Sequence, residues 1–553
     1  MEDTVNNRAV RAVAAVVGIF IMLAISCAVL AWWNKTTYPA FAARPHLSLH
    51  LPILHFAPPP ENPGLAPGIP DNPWLLRLTT FMMTRFGRSY ASIMGAQVFL
   101  YALFVLIMGA LGWRWGGPLA GFLTAGFAAY MPGVLECVIA FDDHLFNMCC
   151  VAGAVLLLDF AKGLPGIVPA AAAGFLVGTA MHFSFVPSNG FMALIAVASA
   201  LAGMHLDEFF NVRSRIADNS EKRSGAAFQQ AALKLWPIIP VFAVVFYIFA
   251  LRDGSLGYVH YIFEGSGTED THSFVSEPGT LLVYPFLLFK YQLDVVISCA
   301  TLIGLIALFV TSGKGRWTMA AWFFGLIIML SLSPKKNHYY DYYAMIAAAP
   351  IVGVGLATIA RKKVALGLSL ILLIGAIVLS TLRLTTFRVD RDSLPMFEYF
   401  QDKREPSIFV EAPIDEPGPW ALNNPSLLSA LYARRNRGER ILVVVAGSAG
   451  IPNQTRYYLT MADPKIQIMV ISEQFKLIPQ IPHPFFLISR IPDRQEISTL
   501  DEAIQSELIG IEATPGEYTD EHGLVQYLRG VLAEGGFEIL SQASTFVLYG
   551  AKN

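Results

Sequence analysis

The chain has 553 residues, is 54% hydrophobic and only 14% charged, and has a mean hydropathy of +0.51. Soluble domains carry about 25% charged residues, so this composition excludes a wholly water-soluble protein. The formal net charge of −2 excludes a general basic field for nucleic acid.

The charge deficit is uneven. Long apolar runs fill the first 380 or so residues, and the remainder reads as soluble. The chain is therefore expected to be a polytopic α-helical membrane protein, residues 1–384, with a C-terminal α/β domain, residues 385–553. The first run, Ala12 to Trp33, follows Arg8 and Arg11. It is too long for a signal-peptide core and no small-residue cleavage site follows, so it reads as a retained helix. Further spans are expected at 90–112, 118–135, 145–160, 166–182, 186–204, 235–251, 293–312, 317–333, 343–360 and 364–382, about eleven in all. The stretch "PGTLLVYPFLLFK", 278–290, is apolar but too short to cross, which suits a re-entrant or interfacial segment.

Orientation follows from the basic residues of the loops. With the N-terminus inside, the inner loops hold Arg8, Arg11, Arg114, Lys162, Arg213, Arg215, Lys222, Arg223, Lys234, Lys314, Arg316 and the run Arg361–Lys363. The outer loops, 34–89, 136–144, 183–185, 252–292 and 334–342, are aromatic and hold most of the acids. An odd span count puts the tail outside. Within it, "RILVVVAGS" (440–448), "IQIMVIS" (466–472) and "PFFLISR" (484–490) read as strands, 499–508 and 520–536 as helices, and 537–551 as a final strand pair. "AGSAG", 446–450, lacks the phosphate-loop pattern and reads as a turn. The five cysteines, Cys27, Cys137, Cys149, Cys150 and Cys299, lie in or beside apolar runs and form no disulfide or metal pattern.

Ionisable groups at a membrane edge are costly and mark function by default. Several clusters share the outer side. The Pro- and Gly-rich loop 34–89 carries Glu61 and Asp71. "ECVIAFDDHLFN", 136–147, sets Asp142, Asp143 and His144 at a helix junction, where carboxylates can bind a metal, act as a general base or simply cap a helix. "SPKKNHYYDYY", 333–343, sets Lys335, Lys336 and His338 beside Asp341 and Tyr342. These donors suit phosphate oxygens, although an aromatic belt with snorkelling lysines has the same composition. Lysines on the outer face run against the positive-inside bias, and an anionic lipid head group would account for them. "MHFSFVPSN", 181–189, puts His182 near an outer turn, as a cavity residue or a structural histidine. The polar loop 252–292 suits a lid or a solvated connector.

Three stretches together resemble a known family: 71–158, with its Pro-containing loop, "FG" and outer "DDH"; 174–201, with its tight outer turn; and "SPKKNHYYDYYAMIAAAPIVGVGLA", 333–357. They are similar to the GT-C glycosyltransferases, specifically the bacterial family 39 members related to protein O-mannosyltransferases and aminoarabinose transferases. The likeness covers roughly residues 1–360. It implies a bacterial inner-membrane, multi-pass enzyme with a cytoplasmic N-terminus and an extracytoplasmic C-terminal domain. The implied reaction moves a sugar from a polyprenyl-phosphate donor to a lipid, glycan or protein acceptor. Asp143 or Asp142 falls on the family's outer-loop Asp. Lys336, His338, Asp341, Tyr342 and Tyr343 fall on the segment that meets the donor phosphate, with Lys335 beside them. The family's acidic pair after helix one is missing, because "WWNKTTYPAF" follows there. The base is then Asp71, Glu61, Asp142 or Asp143. A divalent metal, Mg or Mn, at Asp142 and Asp143 is implied only for some relatives. A flippase for a lipid-linked glycan and a non-catalytic scaffold are the competing readings. The flippase calls for acids or broken helices in mid-span.

Overall fold

The computed structural model describes residues 2–37, 78, 81–82, 84–86, 90–140, 144–161, 166–183, 187–215, 228–233, 238–250, 281–333, 340–360, 363–386, 441–445, 466–470, 485–488, 509–513, 537–542 and 547–551. It divides into two compact units, Met1–Trp32, Asn72–Leu75 and Met94–Thr385 against Trp33–Asp71, Leu76–Ile93 and Thr386–Asn553.

The first unit is helical. Its elements are α1 (Glu2–Thr37), α2 (Tyr90–Gly116), α3 (Pro118–Ala129), α4 (Pro132–Ala140), α5 (His144–Phe160), α6 (Ile167–Phe183), α7 (Pro187–Arg215) and α8 (Ile238–Ala250). There follow α9 (Val283–Leu287), a π-helical turn (Leu288–Gln292), α10 (Asp294–Val310), α11 (Arg316–Leu332), α12 (Tyr342–Met345), α13 (Ala348–Ile359) and α14 (Lys363–Thr386). Among the described residues, five helical stretches are long and apolar enough to cross a membrane: Ala12–Leu30, Gly95–Gly116, Gly190–Arg213, Tyr342–Ile359 and Val364–Thr381. Shorter apolar helices accompany them, among them His144–Phe160, Asp294–Val310 and Arg316–Leu332.

Among the described residues each expected span overlaps helix, but two of them are broken. Pro132 has no N–H to give Ala128 and its ring crowds that carbonyl. Helix α3 therefore ends at Ala129, and the chain restarts as α4, with Val134 N and Leu135 N both donating to Met131 O. Pro350 does the same to Ile346, four residues back. The 343–360 span divides there into α12 and α13, and Ala349 N takes up the Ile346 carbonyl at 3.4 Å.

Helix α13 is the hub. It packs on α10 and on α3, while α8 packs on α6 and α11 on α7. In the window Tyr342–Ile359, 83% of residues are buried, against 22% in Val364–Thr381. The outer helices instead expose Val, Ile and Phe, such as Phe20, Ile371 and Ile374. Such surface suits a lipid environment. Helices α10 and α13 approach backbone to backbone where Gly304 meets Gly355, since a Cβ at Gly304 would stand 2.6 Å from Ile351 O. Small residues permit this contact, the usual way helices associate without a hydrophobic drive.

Polar groups tie the ends of the helices. Asp207 on α7 caps α11 from outside, accepting from Trp317 N at 3.2 Å, Thr318 N at 2.9 Å and Thr318 Oγ1 at 2.6 Å. Arg114, at the end of α2, pairs with buried Asp159 on α5 at 2.7 Å and lies over the Phe160 ring at 4.7 Å.

The second unit contains a six-stranded sheet: β1 (Ile441–Val445), β2 (Ile466–Val470), β3 (Phe485–Ile488), β4 (Ile509–Ala513), β5 (Phe537–Gln542) and β6 (Val547–Ala551), in the order β2-β1-β3-β4-β6-β5. Strand β1 runs parallel to both β2 and β3, in registers Val443↔Ile468 and Val443↔Phe486, and its unbroken apolar run "ILVVV" suits a central strand. Strands β3–β4 and β5–β6 are antiparallel, and β4–β6 is parallel. Among the described residues, each segment expected as strand contains one. Strand β4, "IGIEA", was not anticipated. The expected helices at 499–508 and 520–536 lie outside the described residues.

Candidate active site

The site region forms where the chain leaves regular helix. After α9 the backbone takes a π turn, with Leu293 N donating to Leu288 O at 2.9 Å. Such turns recur at functional sites. Ser298 Oγ donates to Phe289 O at 2.7 Å and holds the turn against α10. Asp294 then adopts φ +59°, a left-handed conformation that Asp tolerates better than most residues. Its Oδ1 accepts from Val296 N at 2.7 Å and Ile297 N at 3.1 Å, so it starts α10 as a capping residue.

The turn delivers Gln292, which is buried and donates from Nε2 to Asp341 Oδ1 at 2.7 Å. Asp341 is fully buried at the head of α12, where its carbonyl accepts from Ala344 N and Met345 N, both at 2.9 Å. Gly133 of α4 backs onto this junction: a Cβ there would clash with the Met345 side chain and stand 3.3 Å from Gln292 Cβ.

Two residues beyond Asp341, Tyr343 crosses to α5. Its hydroxyl lies 3.1 Å from His144 Nδ1 and accepts from Asn147 Nδ2 at 3.3 Å. Its carbonyl accepts from Trp322 Nε1 on α11 at 2.8 Å. The His144 ring meets Tyr342 edge-on, centroids 5.3 Å apart, and Tyr343 at 6.2 Å. All of these side chains are buried. His144 and Asn147 are polar groups in an apolar helix, and the tyrosine hydroxyl gives both a hydrogen-bond partner in one place.

An apolar groove of about 350 Å³ opens nearby. The segment Leu281, Pro285 and Phe289 forms one wall, and α11 forms the other with Phe323, Phe324, Ile327, Ile328, Ser331 and Leu332. That wall runs up to Ser333, the last residue before "PKKNH".

This bundle has solved counterparts. The crystal structure of ArnT from Cupriavidus metallidurans in the apo state matches with a TM-score of 0.51 at 12% identity, over 97% of this chain and 98% of that chain. ArnT from the same organism bound to undecaprenyl phosphate matches with a TM-score of 0.51 at 14% identity, over 96% and 97%. The chain shares the fold of these two structures. No protein-family model matches it, and no curated protein matches it.

Within this bundle, the expected residues His144 and Tyr342 are brought together with Tyr343, although 199 residues separate His144 from Tyr343, while the expected Asp341 meets Gln292. His182 falls in the last turn of α6. Asp142, Asp143, Asp71, Glu61, Lys335, Lys336 and His338 lie outside the described residues. Among the described residues, no group of three His, Cys, Asp or Glu side chains is placed to hold a metal ion, and all five cysteines are thiols. Gln292, Asp294, Asn147 and Trp322 were not anticipated. Asn147 carried a readable signal, a polar amide inside an apolar span. Gln292 and Asp294 carried a weaker one, "QLD" just past the end of the short apolar segment.

Proposed function

We propose that this protein is an integral-membrane glycosyltransferase that moves a sugar from a polyprenyl-phosphate donor to an acceptor hydroxyl on the extracytoplasmic side. The observation that carries the reading is the junction of His144 with Tyr342 and Tyr343. His144 directly follows Asp142 and Asp143, and the tyrosines shortly follow Lys335, Lys336 and His338. The junction thus supports bringing an acid-bearing segment to a cation-bearing one. The fold shared with ArnT, one structure of which holds undecaprenyl phosphate, supports the same substrate class.

A carboxylate, Asp143 first and then Asp142 or Asp71, takes the proton of the acceptor hydroxyl as its oxygen attacks the anomeric carbon. The bond from that carbon to the phosphate oxygen breaks, and the electron pair leaves with the polyprenyl phosphate. Lys335, Lys336 and His338 counter the charge growing on that phosphate, with Tyr342 alongside. The groove between Pro285 and Phe324 has the lining a hydrocarbon chain requires. In this reading the basic loops face the cytoplasm, about eleven spans cross the bilayer, and residues 385–553 form an extracytoplasmic domain.

The test is mass spectrometry of lipids that co-purify with the detergent-solubilised protein, run on wild type and Lys336→Ala, followed by sugar transfer with Asp143→Asn. A polyprenyl phosphate or its sugar ester, depleted in Lys336→Ala, is the expected result. Bulk phospholipid alone in both samples removes the donor assignment, and undiminished transfer by Asp143→Asn removes that residue as the base.

A further inference from the structure

We propose that Tyr343, His144 and Asn147 form a positioning latch, resting on the glycosyltransferase reading above. The latch fixes the start of α5 against the short helix α12.

The chain itself provides no local means of fixing one against the other. His144 and Tyr343 are 199 residues apart, and each lies in the first turn of its helix. Fixed geometry must come from side chains. Tyr343 supplies it by bonding in two directions. Its hydroxyl joins His144 and Asn147, which are three residues apart and therefore neighbours on one face of α5. Its backbone carbonyl joins Trp322 of α11. One residue thus ties the start of α5, the short helix α12 and α11.

The short helix α12 needs such a tie. Four residues long, it meets α13 across an irregular turn at Ile346, where Pro350 has no N–H to give the Ile346 carbonyl. Asp341, bonded to Gln292, anchors its other end. The contacts to Tyr343 are thus made by one buried phenol rather than by a flexible side chain. None of the three residues is assigned a chemical step. Their effect on rate comes through orientation, where a misplacement of about 1 Å can cost on the order of 100-fold.

This assignment has a chemical signature. Asparagine at position 144 retains a polar atom close to where His144 Nδ1 stands, whereas leucine retains the volume alone. The experiment compares wild type, Tyr343→Phe, His144→Leu, His144→Asn and the double variant His144→Leu with Tyr343→Phe. For each, transfer kinetics, equilibrium binding of undecaprenyl phosphate, and hydrogen exchange over residues 144–150 and 340–346 are measured.

Tyr343→Phe and His144→Leu are expected to lower kcat by about 10- to 100-fold, with undecaprenyl phosphate affinity within about 3-fold of wild type. His144→Asn is expected to recover most of the kcat. The double variant should be no slower than the worse single one, because both remove the same tie. Exchange should rise together in the two segments in Tyr343→Phe. Unchanged exchange in both segments overturns the latch whatever the activity. Raised exchange with wild-type kcat overturns its role in positioning, as does His144→Asn behaving like His144→Leu. A wild-type protein that binds no polyprenyl phosphate and transfers no sugar, while exchange still responds, overturns the glycosyltransferase reading and with it the positioning role.

Discussion

Replacing Gly355 by alanine tests whether α13 is held as closely as its backbone contact with α10 requires. A Cβ at Gly355 would stand 2.5 Å from Gly304 Cα and 2.7 Å from Gly304 C. Carbon atoms favour separations of about 3.5–4.0 Å, so the shortfall is about 1 Å. Both partners are backbone atoms of packed helices, and neither can swing aside. Overpacking of this kind costs about 1–3 kcal/mol. Alanine recovers about 0.5–1 kcal/mol through its higher helix propensity. The net expectation is a loss of about 1–2 kcal/mol by combining those figures. Gly367 on α14 is the control, because a Cβ there meets nothing within 4 Å. Gly367→Ala should gain up to about 1 kcal/mol. Thermal unfolding in a single detergent reads both: Tm falls for Gly355→Ala and is equal or higher for Gly367→Ala. Adding Gly304→Ala to Gly355→Ala should cost less than the sum of the two, since the helices are already apart. A Gly355→Ala protein that melts at or above wild type refutes the close approach. Helix α13 follows α12 directly, so a shift at this crossing should also slow transfer.

Three further outcomes follow from the polar ties. Asp207→Ala removes the carboxylate that accepts from Trp317 N and Thr318 N, and should cost about 1–2 kcal/mol; Asp207→Asn, which keeps one acceptor oxygen, should cost less in the same unfolding assay. Arg114→Leu deletes the ion pair with Asp159, which is 2% exposed. Breaking a fully buried pair costs about 3–5 kcal/mol, but Arg114 is 38% exposed and screening lowers the figure to about 1–3 kcal/mol. Adding Asp159→Asn to Arg114→Leu should restore part of the lost Tm, and no restoration would show that the charge is not the cause. Gln292→Leu deletes the hydrogen bond to the Asp341 carboxylate and should cost about 1.5–3 kcal/mol; an unchanged Tm would mean that this bond contributes nothing to holding α12.

The linear sequence determined the broad design because hydropathy is a local property. Apolar runs of helical length located the bundle, and runs such as "ILVVV" located the central strands. Proline chemistry was equally local, and the interruptions at Tyr130–Met131 and Ile346–Ala347 were readable from Pro132 and Pro350. Reading 118–135 and 343–360 as continuous spans gave hydropathy more weight than the missing N–H. Strand β4 escaped because "IGIEA" mixes Gly and Glu into a short run, and its place comes from pairing with β3 and β6. The polar clusters were visible as residue types, since charge and aromaticity stand out against an apolar background. Only the tertiary structure decided which of them meet. His144 faces Tyr343 across 199 residues, and Gln292 faces Asp341 across 49. Such pairings depend on how helices pack and where a π turn aims one side chain. A buried hydrogen bond is specified by the three-dimensional positions of both partners, and no local pattern in the chain encodes the second partner's position.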